Sequence, residues 1–218
     1  MPLLPDNVPL VKRGLDLFIS TCGFIVLFPI LLIISILIFF IQGFPILFHQ
    51  QRPGYLGRPF TIYKFRTMSE KFSTDGRLLP EEQRVTWLGR VLRTTSLDEV
   101  PELINVFKGE MSIVGPRPLL MQYLSRYTPE QARRHDVLPG ITGWAQINGR
   151  NAITWEDKFI FDVWYVDNWS FSLDIKILLQ TVWKVLLREG IDEPGHISSG
   201  EFMGSNSKSF PGKDIVEQ

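Results

Sequence analysis

Between Leu17 and Ile41 the chain carries no charged residue, and most positions are Ile, Leu, Phe or Val. About twenty apolar residues suffice for a helix that reaches across a bilayer, so this run predicts a membrane helix. It is too long for the apolar core of a secretory signal, and no A-x-A-like cleavage site follows it. Pro29 lies at its middle, where a proline deletes one backbone hydrogen bond and bends the helix. A bent helix can enter and leave the membrane on one face, whereas a straighter one crosses. Lys12 and Arg13 precede the run, and Arg52, Arg58, Lys64 and Arg66 follow it. Basic flanks on both sides give no direction for a single crossing and suit re-entry with both ends cytoplasmic. Asp16, at the mouth of the run, is placed to pair with Lys12 or Arg13 as an anchor at the interface.

Beyond the run the pattern changes to short elements. Residues 45–51 (PILFHQQ) and 60–67 (FTIYKFRT) read as strands of a β-hairpin, joined by a loop with Pro-Gly at 53 and 54. A period of two puts Ile62, Lys64 and Arg66 on one face, where the two cations either meet a diphosphate or form a solvated edge. Residues 81–93 (EEQRVTWLGRVLR) show helical spacing at Arg84, Trp87, Leu88, Val91 and Leu92. Next, Val100, Leu103, Ile104 and Phe107 form an apolar stripe, and Pro101 is tolerated only near a helix start. Asp98 and Glu99 therefore fall at or just before that helix's N-terminus. Residues 138–150 (LPGITGWAQINGR) carry three glycines that let backbone amides approach a ligand, or simply make a structural loop. Just upstream, Arg133, Arg134 and His135 either help to hold an anion or complement a helix dipole. Residues 171–188 predict an amphipathic helix that lies in a membrane interface or closes a core; the aromatic run WYVDNW at 164–169 favours the interface.

With 218 residues and a formal net charge of zero, the chain has room for one membrane element and a soluble domain of about 150 residues. Nothing in the charge balance suggests a nucleic-acid partner. Cys22 is the sole cysteine, so no disulfide forms within the chain. The polar stretch 205–218 reads as a disordered tail.

The densest chemistry lies in residues 96–118, SLDEVPELINVFKGEMSIVGPRP. Asp98 offers a carboxylate nucleophile, Glu99 a hard oxygen ligand suited to Mg²⁺, and Arg117 a planar cation for phosphate oxygens. The plain alternative is a capping box, Ser96-x-x-Glu99, which satisfies backbone donors and needs no catalysis. Phosphate-loop, dinucleotide, H-E-x-x-H and cysteine-metal signatures are absent from the sequence, so any metal has to sit on carboxylates.

Several motifs in one order carry a resemblance. KR-G-x-D before an apolar run with a central proline, KFRTM at 64–68, TSLDEVPEL at 95–103, GPRP at 115–118 and PGITGWAQINGR at 139–150 resemble the bacterial monotopic phosphoglycosyl transferases, the bacterial sugar transferase family. The resemblance covers residues 11 to about 190. It implies transfer of a sugar 1-phosphate from a UDP-sugar to a polyprenyl phosphate, usually undecaprenyl phosphate, with release of UMP, as the first membrane step of glycoconjugate assembly. Asp98 matches the nucleophile, Glu99 the partner that holds Mg²⁺, and Pro29 the break in a re-entrant helix. Lys64, Arg66, Arg93, Arg117 and Arg150 are the candidate substrate-binding cations, and Lys12, Arg13 and Asp16 belong to the membrane hairpin.

The implied fold is α+β and predominantly helical. It comprises a re-entrant membrane helix in 1–44, then a compact cytoplasmic catalytic domain in 45–204 with a small β-hairpin and amphipathic interfacial helices. The implied setting is the inner membrane, with the domain on the cytoplasmic face and a homodimer left open. EGIDEPGH at 189–196 is similar to small members acting on UDP-linked N-acetylated amino sugars, including diacetylbacillosamine, with a hexose 1-phosphate transferase as the near alternative. Larger relatives add N-terminal spans, so this chain looks like the minimal catalytic unit. A rival of another class is a membrane-anchored adapter that binds nucleotide without turnover and has no use for Asp98.

Overall fold

The computed structural model describes residues 8–149, 153–187 and 201–204. Arg150, the 189–196 segment and the 205–218 tail lie outside the described residues.

Helix α1 (Leu10–Gln42) runs unbroken for 33 residues with Pro29 inside it, so the proline does not end the element. Its most apolar 18-residue window has a mean hydropathy of 3.3 and is only 11% buried, whereas the core helix of a soluble protein hides most of such a surface. On the covered side Ile19 and Phe24 pack on one apolar cluster, and Ile34 and Ile38 belong to a second. Between them Ile25, Val26, Phe28 and Ile30 are exposed.

The polar start of α1 is not an interfacial anchor. Lys12, Arg13 and Asp16 are buried in the domain. Lys12 Nζ pairs with Asp174 at 2.7 Å and donates to the Val114 carbonyl at 2.9 Å. Arg13 donates to the carbonyls of Val106 and Phe107. Asp16 Oδ1 accepts from Ser112 Oγ at 2.9 Å and from the Ile113 amide at 2.8 Å. Among the described residues Asp16 thus takes its hydrogen bonds from Ser112 and Ile113, while Lys12 and Arg13 favour its charge through the field alone. The carboxylate satisfies a buried backbone donor, the Ile113 amide, which would otherwise lack a partner.

Strands β1 (Leu47–Pro53) and β2 (Pro59–Phe65) form the antiparallel hairpin that the sequence predicts, with Arg52 opposite Phe60 and Lys64 opposite Phe48. Arg66 falls beyond β2. Its guanidinium turns to the carbonyls of Gln42, Gly43 and Phe44 at the end of α1, where four carbonyls lack intrahelical partners.

The helix expected over 81–93 splits into α2 (Glu81–Arg84) and α3 (Trp87–Thr94), because Thr86 is an N-cap whose hydroxyl accepts from the Gly89 amide at 3.0 Å. Gly89 is forced: a Cβ there would lie 1.9 Å from the Thr67 carbonyl oxygen. The Asp98 segment then forms a 3₁₀ turn, Leu97–Glu102, ahead of α4 (Leu103–Lys108). Ser96 is left-handed (φ 57°) and makes no side-chain cap, so the capping box does not form.

A second pair, β3 (Ser112–Val114) and β4 (Gly140–Thr142), is parallel, and the α5 turn (Pro129–Ala132) lies between them in sequence. A Cβ on Gly140 would sit 2.1 Å from the Gly115 nitrogen, so these glycines let two backbones touch rather than admit a ligand. After α6 (Trp144–Ile147), helices α7 (Trp155–Asn168) and α8 (Phe171–Leu187) close the core. Of the 164–169 aromatics, Tyr165 is buried and donates to Asp174, while Trp164 and Trp169 are half-buried, Trp169 Nε1 also donating to Asp174 and Trp164 stacking on Trp144. The outer face of α8 still exposes Leu179, Val182 and Trp183. Phe202 fills a third, aromatic cluster with Tyr123, Tyr127, Trp155 and Phe159.

Candidate active site

The 97–102 turn packs on β2, and this brings Glu99 onto Lys64: Nζ to Oε1 is 2.6 Å. Arg117 approaches from the loop after β3 and forks the same carboxylate, with one nitrogen on Oε2 at 3.1 Å and the other on Oε1. Pro116 and Pro118 stiffen its backbone. Behind it, Arg134 donates to the Arg117 carbonyl at 2.7 Å while paired with buried Asp162. The 133–135 triplet is therefore structural here, since Arg133 is engaged with Glu130 and Asp167 at the surface. His135 shares a small recess with Pro53, Pro116, Arg117 and Pro118. Burial and Arg134 lower its pKa to about 4, so it is neutral at pH 7.

Burial opposes ionisation of Glu99, but Arg117 and Lys64 outweigh it and hold the carboxyl below the usual range. Asp98 behaves in the opposite way. Burial raises its pKa and the Glu99 charge adds to this, while Lys64, Arg117 and Arg93 pull it back. Neighbouring residues of a 3₁₀ turn point about 120° apart, which lets adjacent carboxylates take separate roles. Lys64, Asp98, Glu99, Arg117 and, at the rim, Arg93 are thus brought together; Arg93 Nε donates to Thr67 Oγ1 at 3.1 Å. Arg66 stands apart at the end of α1.

Two further residues join the site that were not among the sequence candidates for it. Glu102 is 1% exposed and 3.1 Å from Lys64 Nζ, and burial together with the Glu99 charge pushes its pKa up to about 7. The signal was present in the Glu99-x-x-Glu102 spacing, because i and i+3 eclipse in a 3₁₀ turn. The other is Arg52 on β1, whose pKa is lowered by burial and by Arg117.

No group of three or more His, Cys, Asp and Glu among the described residues is arranged to hold a metal. Mg²⁺ needs less, usually one or two carboxylates completed by substrate phosphates and water. A carboxylate has about four lone-pair positions. Lys64 and Arg117 occupy both on Glu99 Oε1, and Arg117 takes one on Oε2. One lone-pair position on Oε2 is left, so Glu99 is the residue that would hold such an ion.

The model of the bacterial sugar transferases matches residues 8–188. A relative from Bacillus subtilis, described as an uncharacterized sugar transferase EpsL, is 53% identical over 92% of this chain and 99% of its own. The exopolysaccharide production protein ExoY of Rhizobium meliloti is 35% identical over 83% of this chain and 88% of its own. An Escherichia coli UDP-glucose:undecaprenyl-phosphate glucose-1-phosphate transferase is 40% identical over 80% of this chain and 40% of its own. With a match that runs from the start of α1 to the end of α8, the chain belongs to the bacterial sugar transferase family.

Proposed function

We propose that this enzyme transfers a sugar 1-phosphate from a UDP-sugar to undecaprenyl phosphate, releasing UMP, through a covalent phosphosugar on Asp98. The observation that carries this reading is the division of labour in the 97–102 turn. Glu99 carries two cations, Lys64 and Arg117, whereas Asp98 beside it makes no ion pair among the described residues and is kept more basic by burial. A basic, unpaired carboxylate next to fixed cations is a nucleophile for phosphorus. Lys64 and Arg117 are pre-aimed at charge on the reacting diphosphate, and their fixed geometry removes reorganisation from the step. Mg²⁺, when bound through Glu99 and the diphosphate, supplies further charge neutralisation. An adapter without turnover has no use for this arrangement.

The membrane reading rests on α1. Straight, 33 residues would span about 50 Å, yet both ends of the helix pack on the same domain. Ends attached to one folded body stay on one side of a bilayer, which supports re-entry with Ile25–Ile30 deepest and Pro29 among them. The exposed Trp87 and Val91 on α3, with Leu179, Val182 and Trp183 on α8, supply apolar faces for the interface. A domain on the cytoplasmic face of the inner membrane suits a UDP-sugar donor drawn from the cytosol.

For the sugar, relatives named for UDP-glucose and UDP-galactose favour a hexose. The amino-sugar resemblance falls on residues 189–196, outside the described part. Incubation with labelled UDP-sugar alone, across a panel of both classes, tests the whole reading. UMP release should leave label on Asp98 with one class, and Asp98→Asn should abolish transfer while retaining the native melting profile. Label on another residue, or turnover in the Asn variant, would sink the nucleophile assignment.

A further inference from the structure

We propose that Arg52 and Arg117 form one phosphate seat, used first by the phosphate that departs with the nucleoside and then by the phosphate of the lipid acceptor. The proposal rests on the double displacement at Asp98. In the first displacement an Asp98 oxygen bonds to the sugar-bearing phosphorus while the bond from that phosphorus to the bridging oxygen breaks. The electron pair stays on the bridging oxygen, which leaves as part of UMP. In the second, an oxygen of the lipid phosphate bonds to the same phosphorus and the bond to Asp98 breaks, restoring the carboxylate. Attacking and leaving oxygens lie roughly in line in each step. The departing oxygen is therefore opposite Asp98, and so is the incoming one. Both belong to phosphate monoesters, so one seat serves both.

The residues that make this seat are set out by the hairpin. Arg52 lies on the same hairpin face as Lys64, four residues apart by register, which is roughly 13 Å along the strand. Glu99 already takes Lys64 and two nitrogens of Arg117. Arg52 has no such partner: its guanidinium donates to Gln50 Oε1 at 2.7 Å, and its Nε is buried without a hydrogen bond. No carboxylate of the described residues lies within ion-pair distance of it. Its charge nevertheless acts on Arg117, Glu102, Tyr123 and Glu99. Pro53, next to it, lines the recess that also holds Pro116, Arg117 and Pro118. Two guanidiniums near one another repel, and Arg52 Nε has no hydrogen-bond partner among the described residues. A dianionic phosphate between them removes the repulsion and accepts from both forks. Lys64, on the Asp98 side, is left for the transferred phosphoryl group.

The test separates binding from turnover in the full-length, detergent-solubilised chain. UMP affinity is measured on the Asp98→Asn variant with and without Arg52→Gln, and the acceptor KM is measured in the second half-reaction from preformed adduct. Both should weaken about tenfold or more with Arg52→Gln, as expected for a lost charge-assisted contact, with Arg52→Lys in between. The adduct should still form on Asp98 at saturating donor. Native UMP affinity in Arg52→Gln, or weakening for UMP with an unchanged acceptor KM or the reverse, would overturn the shared seat. Should Arg52→Gln fail to fold, inhibition of the native enzyme decides. UMP must compete with polyprenyl phosphate, and a non-competitive pattern refutes the proposal. Failure of the Asp98 reading would register separately, as absence of adduct in the native enzyme.

Discussion

Arg134 and Asp162 form an ion pair whose side chains are 1% and 2% exposed and 2.7 Å apart, and the Arg134 fork also holds the Arg117 carbonyl. Asp162→Leu leaves a guanidinium buried without its counter-charge, which costs about 3–5 kcal/mol. At roughly 2–4 °C per kcal/mol for a chain of this size, the melting temperature should fall by about 6–20 °C. Pairing that change with Arg134→Met removes both charges at similar volume. Stability should then recover to within about 1–3 kcal/mol of native, the remainder being the Arg117 carbonyl left without its donor. The transfer rate should not recover with it. Arg117 is aimed through its backbone, and a displacement of about 1 Å in a catalytic cation can cost on the order of 100-fold. Thermal unfolding in detergent and initial rates of UMP release at saturating substrates measure the two quantities on one sample. A double variant that regains native rate along with native stability would show that Arg134 merely fills the interior.

Arg117→Lys replaces two bonds to Glu99 by one, and loss of about 1.5–3 kcal/mol should lower the transfer rate roughly tenfold to a hundredfold; near-native turnover would return Arg117 to a structural role. Glu102 has its folded pKa raised from 4.5 to about 7, so it favours the fold below pH 4.5 and ceases to do so as pH rises through 7. Glu102→Gln should therefore flatten the loss of stability across that window in melting curves, and an unchanged pH profile would mean that Glu102 is ionised in the fold. For topology, Leu10→Cys and Leu56→Cys, each in a Cys22→Ser background, should be labelled only from the cytoplasmic side of sealed vesicles. Labelling of position 10 from the opposite side would refute re-entry.

What the sequence made legible was local pattern. Alternation and Pro-Gly punctuation gave the hairpin, and spacing gave α8, whose Leu173, Asp174 and Ile177 face inward. The failures arise where a distant partner overrides a local rule. Ser96-x-x-Glu99 has the letters of a capping box, but Glu99 is claimed by Lys64, 35 residues away, and by Arg117. Alternation puts Arg66 with Lys64, yet β2 ends at Phe65 and Arg66 is taken by the carbonyls of α1. Lys12 meets Asp174 at a separation of 162 residues, which no window along the chain can show. Arg52 sat among the basic flanks of the membrane run and acquires its place in the site only through the hairpin register.

An anchor that had only to hold the chain in lipid would not need buried charge in its first two turns, and α1 has three such residues in Lys12, Arg13 and Asp16. Their partners explain why. Lys12 and Asp16 grip Val114 and Ile113 of β3, and Arg117 follows three residues after Val114. At the other end of the helix Arg66, two residues after Lys64, binds the carbonyl of Gln42 and those of Gly43 and Phe44 just beyond it. The two cations on Glu99 therefore hang from segments fastened to opposite ends of α1. A helix that shifts against the domain must move Lys64 and Arg117 relative to one another and so open the fork that keeps Glu99 ionised. The apolar helix is in this way part of the geometry of the polar site around Glu99.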